Sequence, residues 1–187
     1  METQPSFHYI ATLEEAERIV RDHDRFWVSN CGCREGGPGC KRSRVDLCLF
    51  FDNSDIKGTG SNFHEVDHEF VDGILKEAKE KHLVSRPFRY ENDRTRNQGI
   101  CFCCDDCCEY FKGSDYPCDK GKFIEKTDRE ACTDCGDCED VCYYSARTMA
   151  DGKLELNRDN CAGCGLCRDV CPVDCIRMVE RRAERKA

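Results

Sequence analysis

The strongest constraint on this chain is a cysteine run that occurs twice. Cys132-Thr-Asp-Cys135-Gly-Asp-Cys138-Glu-Asp-Val-Cys142 recurs 29 residues later as Cys161-Ala-Gly-Cys164-Gly-Leu-Cys167-Arg-Asp-Val-Cys171-Pro172. Both runs read C-x2-C-x2-C-x3-C. Three thiols two residues apart lie on one loop and wrap one face of a polynuclear centre. The fourth, three residues further on, has turned onto a helix and points elsewhere. A duplicated run predicts two equivalent sites. The spacing therefore assigns one [4Fe–4S] cluster to Cys132, Cys135, Cys138 and Cys171, and a second to Cys161, Cys164, Cys167 and Cys142. Zinc also takes C-x2-C pairs, but a zinc knuckle needs two such pairs, not two matched quartets.

The surrounding sequence supplies short strands. Lys122 to Glu125 reads as one strand, and Ile176 to Val179 as a closing one. Arg147–Ala150 and Lys153–Leu156 read as a hairpin, because the intervening Asp151-Gly152 suits a two-residue turn with positive φ. With its two runs, the segment from about 122 to 180 resembles the bacterial two-[4Fe–4S] ferredoxin family. That resemblance implies a βαββαβ-type fold with pseudo-twofold symmetry and one-electron transfer at low potential. Tyr143 stands where the family usually has proline, which puts the turn after Cys142 in question. Cys175 lies outside the motif and reads as a small buried residue rather than a ligand. Gly136, Gly163 and Gly165 let backbone N–H groups approach cluster sulfurs. Asp134, Asp137, Glu139 and Asp140 add negative charge near the first loop, which favours the oxidised form unless solvent screens it.

Cysteine makes up about a tenth of the chain, 19 of 187 residues, so the thiols form disulfides or bind metal. The first ten residues lack the basic start and apolar run of a signal peptide, and no stretch approaches the roughly 20 apolar residues of a membrane span. The expectation is a soluble cytoplasmic protein with metal-bound thiols, and oxygen-sensitive clusters in number point to an anaerobic host. The net charge is −8, with acid concentrated between Asp128 and Glu180 and a basic tail from Arg181 to Lys186. Such a surface argues against nucleic acid and fits docking onto the basic patch of a redox partner.

The expected architecture is α+β in two domains: a small, mainly helical, Cys-rich metal-binding region at 1–121, and the two-cluster ferredoxin with its basic tail at 122–187. Thr12 and Glu15 form a capping box that starts one helix, with Ala16, Ile19 and Val20 as its apolar stripe. A second helix is expected from near Asn62, with Val66, Phe70, Ile74, Leu75 and Ala78 on one face. Leu83-Val84 and Phe88 suit a short strand, and 45–51 is an apolar run of either kind. His64 and His68, four apart, would then share a solvated helix face.

Ten further cysteines precede the repeat. Nine form a candidate ligand pool: Cys31, Cys33, Cys40, Cys48, Cys101, Cys103, Cys104, Cys107 and Cys108. Three readings stand: one or two further Fe–S clusters, structural zinc, or a thiol-redox or cluster-delivery site. Arg34 is either a donor to a thiolate or a surface residue. The elements Cys31-Gly-Cys33-Arg34, Cys40, Cys48, Ala78 through Leu83-Val84, and Cys101–Cys108 together resemble a family of ferredoxin-like proteins of anaerobes.

No nucleophile–base grouping, phosphate-cradling glycine motif or dinucleotide fingerprint is visible. The leading expectation is a low-potential electron carrier or electron-transfer subunit. The alternatives are a reductase whose N-terminal Fe–S active site is wired by the ferredoxin module, and a redox sensor or Fe–S assembly factor.

Overall fold

The computed structural model describes residues 4–53 and 60–181. Apart from Arg181, the basic tail lies outside the described residues. The chain divides into two compact units, 1–119 and 120–187.

The first unit is built mainly of strands, which corrects the expectation of a mainly helical region. Its elements run β1 (His8–Tyr9), α1 (Leu13–Arg21), β2 (Phe26–Ser29), α2 (Gly32–Glu35), β3 (Cys48–Phe50), β4 (His64–Val66), α3 (His68–Glu80), β5 (Val84–Arg89), β6 (Asn97–Cys103) and β7 (Cys118–Asp119). Among the described residues they make a seven-stranded sheet, ordered β4-β2-β3-β6-β5-β1-β7. All pairs are antiparallel except β1 with β7. The central strands β2, β3, β5 and β6 are hard to see in the sequence because they are short and mostly buried on both faces, which blurs the alternation of polar and apolar residues.

The capping box forms as expected. Thr12 caps α1 while the Glu15 carboxylate accepts from the Thr12 N–H at 2.9 Å. The second helix begins later than Asn62. Asp67 caps α3 by accepting from the Phe70 N–H, and 64–66 is drawn into the sheet as β4 beside β2. His64 and His68 are both exposed but share no helix face: His64 lies in a strand, and His68 opens α3 with its ring edge-on to Phe26.

Strand register sorts the sheet into two faces. Gly99, Cys101 and Cys103 of β6 point one way, together with Phe50 and Cys48 of β3 and Phe88 and Arg86 of β5. Ile100, Phe102 and Leu49 point the other way and are buried. A Cβ on Gly99 would fall 2.3 Å from the Phe88 ring, so only glycine lets that ring lie flat on β6. Trp27, Phe50 and Phe88 form an aromatic cluster with Cys48, and Phe7, Phe63, Cys31 and Cys101 pack against it.

The second unit runs β8 (Phe123–Thr127), α4 (Asp137–Asp140), β9 (Arg147–Ala150), β10 (Lys153–Leu156), a 3-10 turn at Arg158–Asn160, α5 (Leu166–Asp169) and β11 (Ile176–Glu180). The order is βαββαβ. β8 pairs with β11, and β9 with β10 across a turn in which Asp151 and Gly152 have φ of 50° and 74°. The duplication reaches the backbone. Positive φ recurs at Asp134 and Gly163, at Gly136 and Gly165, and at Ser145 and Asp174, each pair one repeat apart. No helix among the described residues is long and apolar enough to cross a membrane.

Candidate metal centres

The nine cysteines of the N-terminal pool fall into two groups. The first is assembled by sheet register. Cys48 of β3 sits directly opposite Cys101 of β6, and Arg86 of β5 sits opposite Cys101 on the other side. Cys31 caps the single turn of α2, which carries Cys33 and Arg34, and its N–H is held by the Val45 carbonyl at 2.7 Å. Cys31 touches Cys33 and Cys48, Cys33 touches Cys108, and Cys108 touches Cys103. Six thiols thus form a continuous array: Cys48, Cys101, Cys31, Cys33, Cys108 and Cys103.

Adjacent thiols in this array divide their protons unequally. Cys48 holds the pKa of Cys101 well below the ordinary thiol value, while Cys101 pushes Cys48 up. Cys108 lowers Cys33, and Cys103 and Cys33 raise Cys108. A metal takes up thiolates, so binding at this array would release the protons that remain. Two residues that belong to no cysteine motif line the array. Arg86 is only 6% exposed; its Nη1 donates to the Cys108 Sγ at 3.8 Å, and its guanidinium stacks over Tyr110. The His8 imidazole lies against Cys101. Both positions follow from strand pairing, which no local motif records. Cys118 sits beside Arg86 and Tyr110, and burial raises its pKa.

The second group is Cys40, Cys104 and Cys107. Sulfur separations are 3.5 Å for Cys40–Cys104 and for Cys104–Cys107, and all three lie within 4.8 Å of one another. The Cys40 segment is fastened to the Cys104–Cys107 segment by the Arg42–Asp105 ion pair at 2.9 Å and by the Lys41 N–H donating to Asp106 at 2.9 Å. Arg34 is not a surface residue. It is 3% exposed and donates to the carbonyls of Arg44 and Phe102. Burial opposes its charge, but the thiols of Cys31, Cys107 and Cys40 outweigh that and hold its pKa above the ordinary value.

In the second unit the two cysteine quartets surround two separate cavities. One is lined by Cys132, Cys135, Cys138 and Cys171. The other is lined by Cys142, Cys161, Cys164 and Cys167. Each cavity takes its fourth cysteine from the other run. Burial raises the Cys138 thiol and pushes Cys167 up to about 12, so in the absence of a cation these groups keep their protons, and binding a metal would release them. Residues 123–178 match the family model of the 4Fe-4S dicluster domain. The C-terminal unit is a ferredoxin-like iron–sulfur module. No curated protein matches the sequence.

The ferredoxin-like module keeps the same turn at both fourth cysteines. Ser145 N–H donates to the Cys142 carbonyl at 3.1 Å, and Asp174 N–H to the Cys171 carbonyl at 3.3 Å, so Tyr143 is accommodated where the second repeat has Pro172. Cys175 occupies the place that Ala146 takes in the first repeat, and both are 6% exposed. It is small and buried, but it also lines the first cavity, with its sulfur 3.5 Å from that of Cys171. Two of the four acids near the first loop brace it. Asp134 accepts from the Leu154 N–H and Glu139 from the Met149 N–H, each at 2.9 Å. Asp137 and Asp140 stay exposed, as does Cys135.

One buried charge network in the module has no counterpart in the motif. Arg147, 2% exposed, donates to Glu125 at 2.7 Å, to Thr127 at 2.8 Å and to the Cys138 Sγ at 3.4 Å. It also lines the second cavity, near Cys167. Glu125 is held from the other side by Arg158 at 2.9 Å. Arg147 therefore presents one positive charge to both thiol sets.

Proposed function

We propose that the chain carries electrons one at a time at low potential, through two [4Fe–4S] clusters in the ferredoxin-like module, to or from an N-terminal metal centre or a docked oxidoreductase. Cys132, Cys135, Cys138 and Cys171 hold one cluster; Cys142, Cys161, Cys164 and Cys167 hold the other. The observation that carries this reading is the crosswise lining of the two cavities. It ties both sites into one unit, as the motif requires. When bound, the clusters would supply one-electron redox chemistry.

The chain's own residues do the rest. Gly136 and Gly165, both with positive φ, turn the backbone into α4 and α5 at equivalent points. Arg147 offsets thiolate charge inside the module, which makes reduction easier. Exposed Cys135, beside Asp137 and Asp140, marks the electron entry point, where a basic patch on a partner would dock. The N-terminal cysteine pool supplies the further centre, and the Arg86 guanidinium offsets its charge.

The test is anaerobic purification followed by iron and sulfide analysis and an EPR-monitored redox titration. About eight irons with matching sulfide are expected for the module alone. Cys171→Ser should remove the cluster whose other ligands lie in the first run and leave the second intact. A protein without labile sulfide, or a Cys171→Ser variant disturbed only in the second cluster, overturns the reading.

A further inference from the structure

We infer that Cys40, Cys104 and Cys107 form a mononuclear zinc site of their own, three thiolates and one oxygen donor, distinct from the six-thiol array. The inference rests on reading the N-terminal cysteines as metal ligands, and is independent of the electron-transfer role of the module.

Sulfur spacing carries the argument. A tetrahedral zinc ion with Zn–S bonds of about 2.3 Å sets its sulfurs roughly 3.8 Å apart. The observed separations of 3.5 Å, closing within 4.8 Å for all three, match one shared ion. In a [4Fe–4S] cube each thiolate binds a different iron, so its sulfurs must stand further apart. The module supplies an internal scale. Among the described residues, Cys40, Cys104 and Cys107 are the one set of three candidate ligands that closes within 4.8 Å; the quartets around the two module cavities do not. The six-thiol array does not close that tightly on any three of its members either. It spreads instead as a chain of pairwise contacts, which suits a larger centre.

The local chemistry agrees. Cys104-Asp105-Asp106-Cys107 is a C-x2-C pair of the zinc-binding kind, and Cys40 is brought to it from 64 residues earlier. Asp106 lies against Cys40, so a carboxylate or its bound water is at hand for the fourth position. Three thiolates on a divalent ion leave net negative charge, and the buried Arg34 guanidinium beside Cys107 and Cys40 offsets it. The Arg42–Asp105 and Lys41–Asp106 contacts already hold the two segments together, which lowers the ordering cost of binding.

The experiment uses the full chain, purified anaerobically after growth with zinc present. Zinc, iron and sulfide are counted per chain, and X-ray absorption is recorded at the zinc edge. One zinc per chain is expected, with three sulfurs at about 2.3 Å and one lighter neighbour. Cys107→Ser should lower zinc at least fivefold while iron, sulfide and the module's EPR signals hold. If that variant does not fold, cobalt(II) replacement in the unmodified chain gives the same reading through its thiolate charge-transfer bands. Loss of iron and sulfide with Cys107→Ser overturns the proposal, as does a chain with all its clusters and less than a tenth of an equivalent of zinc. A chain with zinc but no labile sulfide leaves this site standing and sinks the electron-transfer reading instead.

Discussion

The two units gather cysteines by opposite means. In the ferredoxin-like module three thiols of each quartet come from one short segment, two on a loop and the third on the single turn of α4 or α5, and local backbone turns aim them; positive φ at 134 and 163, 136 and 165, and 145 and 174 repeats with the sequence. In the N-terminal unit, Cys48 and Cys101 meet because β3 and β6 pair in one register, and Cys31 and Cys33 reach them from the turn of α2. A loop motif survives as a string of letters. A sheet-face site exists only while the register holds, since a one-residue slip would send Cys101 and Cys103 to the opposite face.

The largest expected effect tests the local half of that contrast. Gly163 has φ +88° and a Cβ there would fall 2.1 Å from the Phe123 carbonyl oxygen. Gly163→Ala should therefore cost about 3 kcal/mol or more and halve the module's iron, by misplacing Cys161 and Cys164. Its counterpart Asp134 has the same backbone region at φ 52°, but its side chain already fits. Asp134→Ala should keep its cluster and lose the brace to Leu154 together with the pairing to Arg129. Iron analysis and thermal melts of both variants check this. Full iron in Gly163→Ala would mean that the repeated turn does not position the thiols.

Next come the two buried arginines, one per unit. Arg147→Met leaves the buried Glu125 with the Thr127 hydroxyl and the half-exposed Arg158, so destabilisation of about 3–5 kcal/mol is expected. The double variant Arg147→Met, Glu125→Leu should regain most of that stability. In Arg147→Met the module's potentials should fall, because a positive charge near Cys138 and Cys167 is gone, and removing the Glu125 carboxylate as well should return part of that fall. Unchanged potentials in a folded Arg147→Met variant would reduce Arg147 to a packing role. Arg86→Met in the N-terminal unit should cost less, about 1.5–3 kcal/mol, and lower only the N-terminal metal content. Equal loss of metal from both units would erase the distinction between them.

This contrast also explains what the sequence revealed. The hairpin at Asp151-Gly152 and the Thr12 cap were legible because each is written within a few residues, and the βαββαβ order followed from the family resemblance that the doubled cysteine run carries. The sheet was not, because β6 reads Asn-Gln-Gly-Ile-Cys-Phe-Cys, and counting its cysteines as ligands hides that they alternate with Ile100 and Phe102. His8, Arg86 and Arg147 reach thiols through strand pairing, with no signal in their own neighbourhoods. Arg34 was visible as part of Cys-x-Cys-Arg, but its burial depends on Phe102, 68 residues away.

The smallest effect concerns how the Cys40 segment is tethered, and it separates a register-built site from the loop that completes it. Glu77 of α3 accepts from the Ser43 hydroxyl and from the Arg44 N–H, and pairs with the Arg44 guanidinium at 3.3 Å. Burial alone would raise its pKa, but these donors outweigh it and hold the carboxyl below its ordinary value. A depressed carboxylate pKa gives stability that is fully present above the ordinary value of about 4.3 and is lost as pH falls through the folded one. Glu77→Gln should cost about 1 kcal/mol or less, because Arg44 is 39% exposed and solvent screens the pair. Amide exchange over 43–46 should quicken in Glu77→Gln at neutral pH and in the unmodified chain only below about pH 4, while β3 and β6 stay protected. Only the Glu77→Gln arm, read at neutral pH, keeps thiolate protonation out of the comparison. If β6 amides open together with 43–46, the segment carrying Cys40 and the sheet carrying the six-thiol array are one cooperative unit, and the two N-terminal thiol groups would share a single stability rather than respond separately to metal.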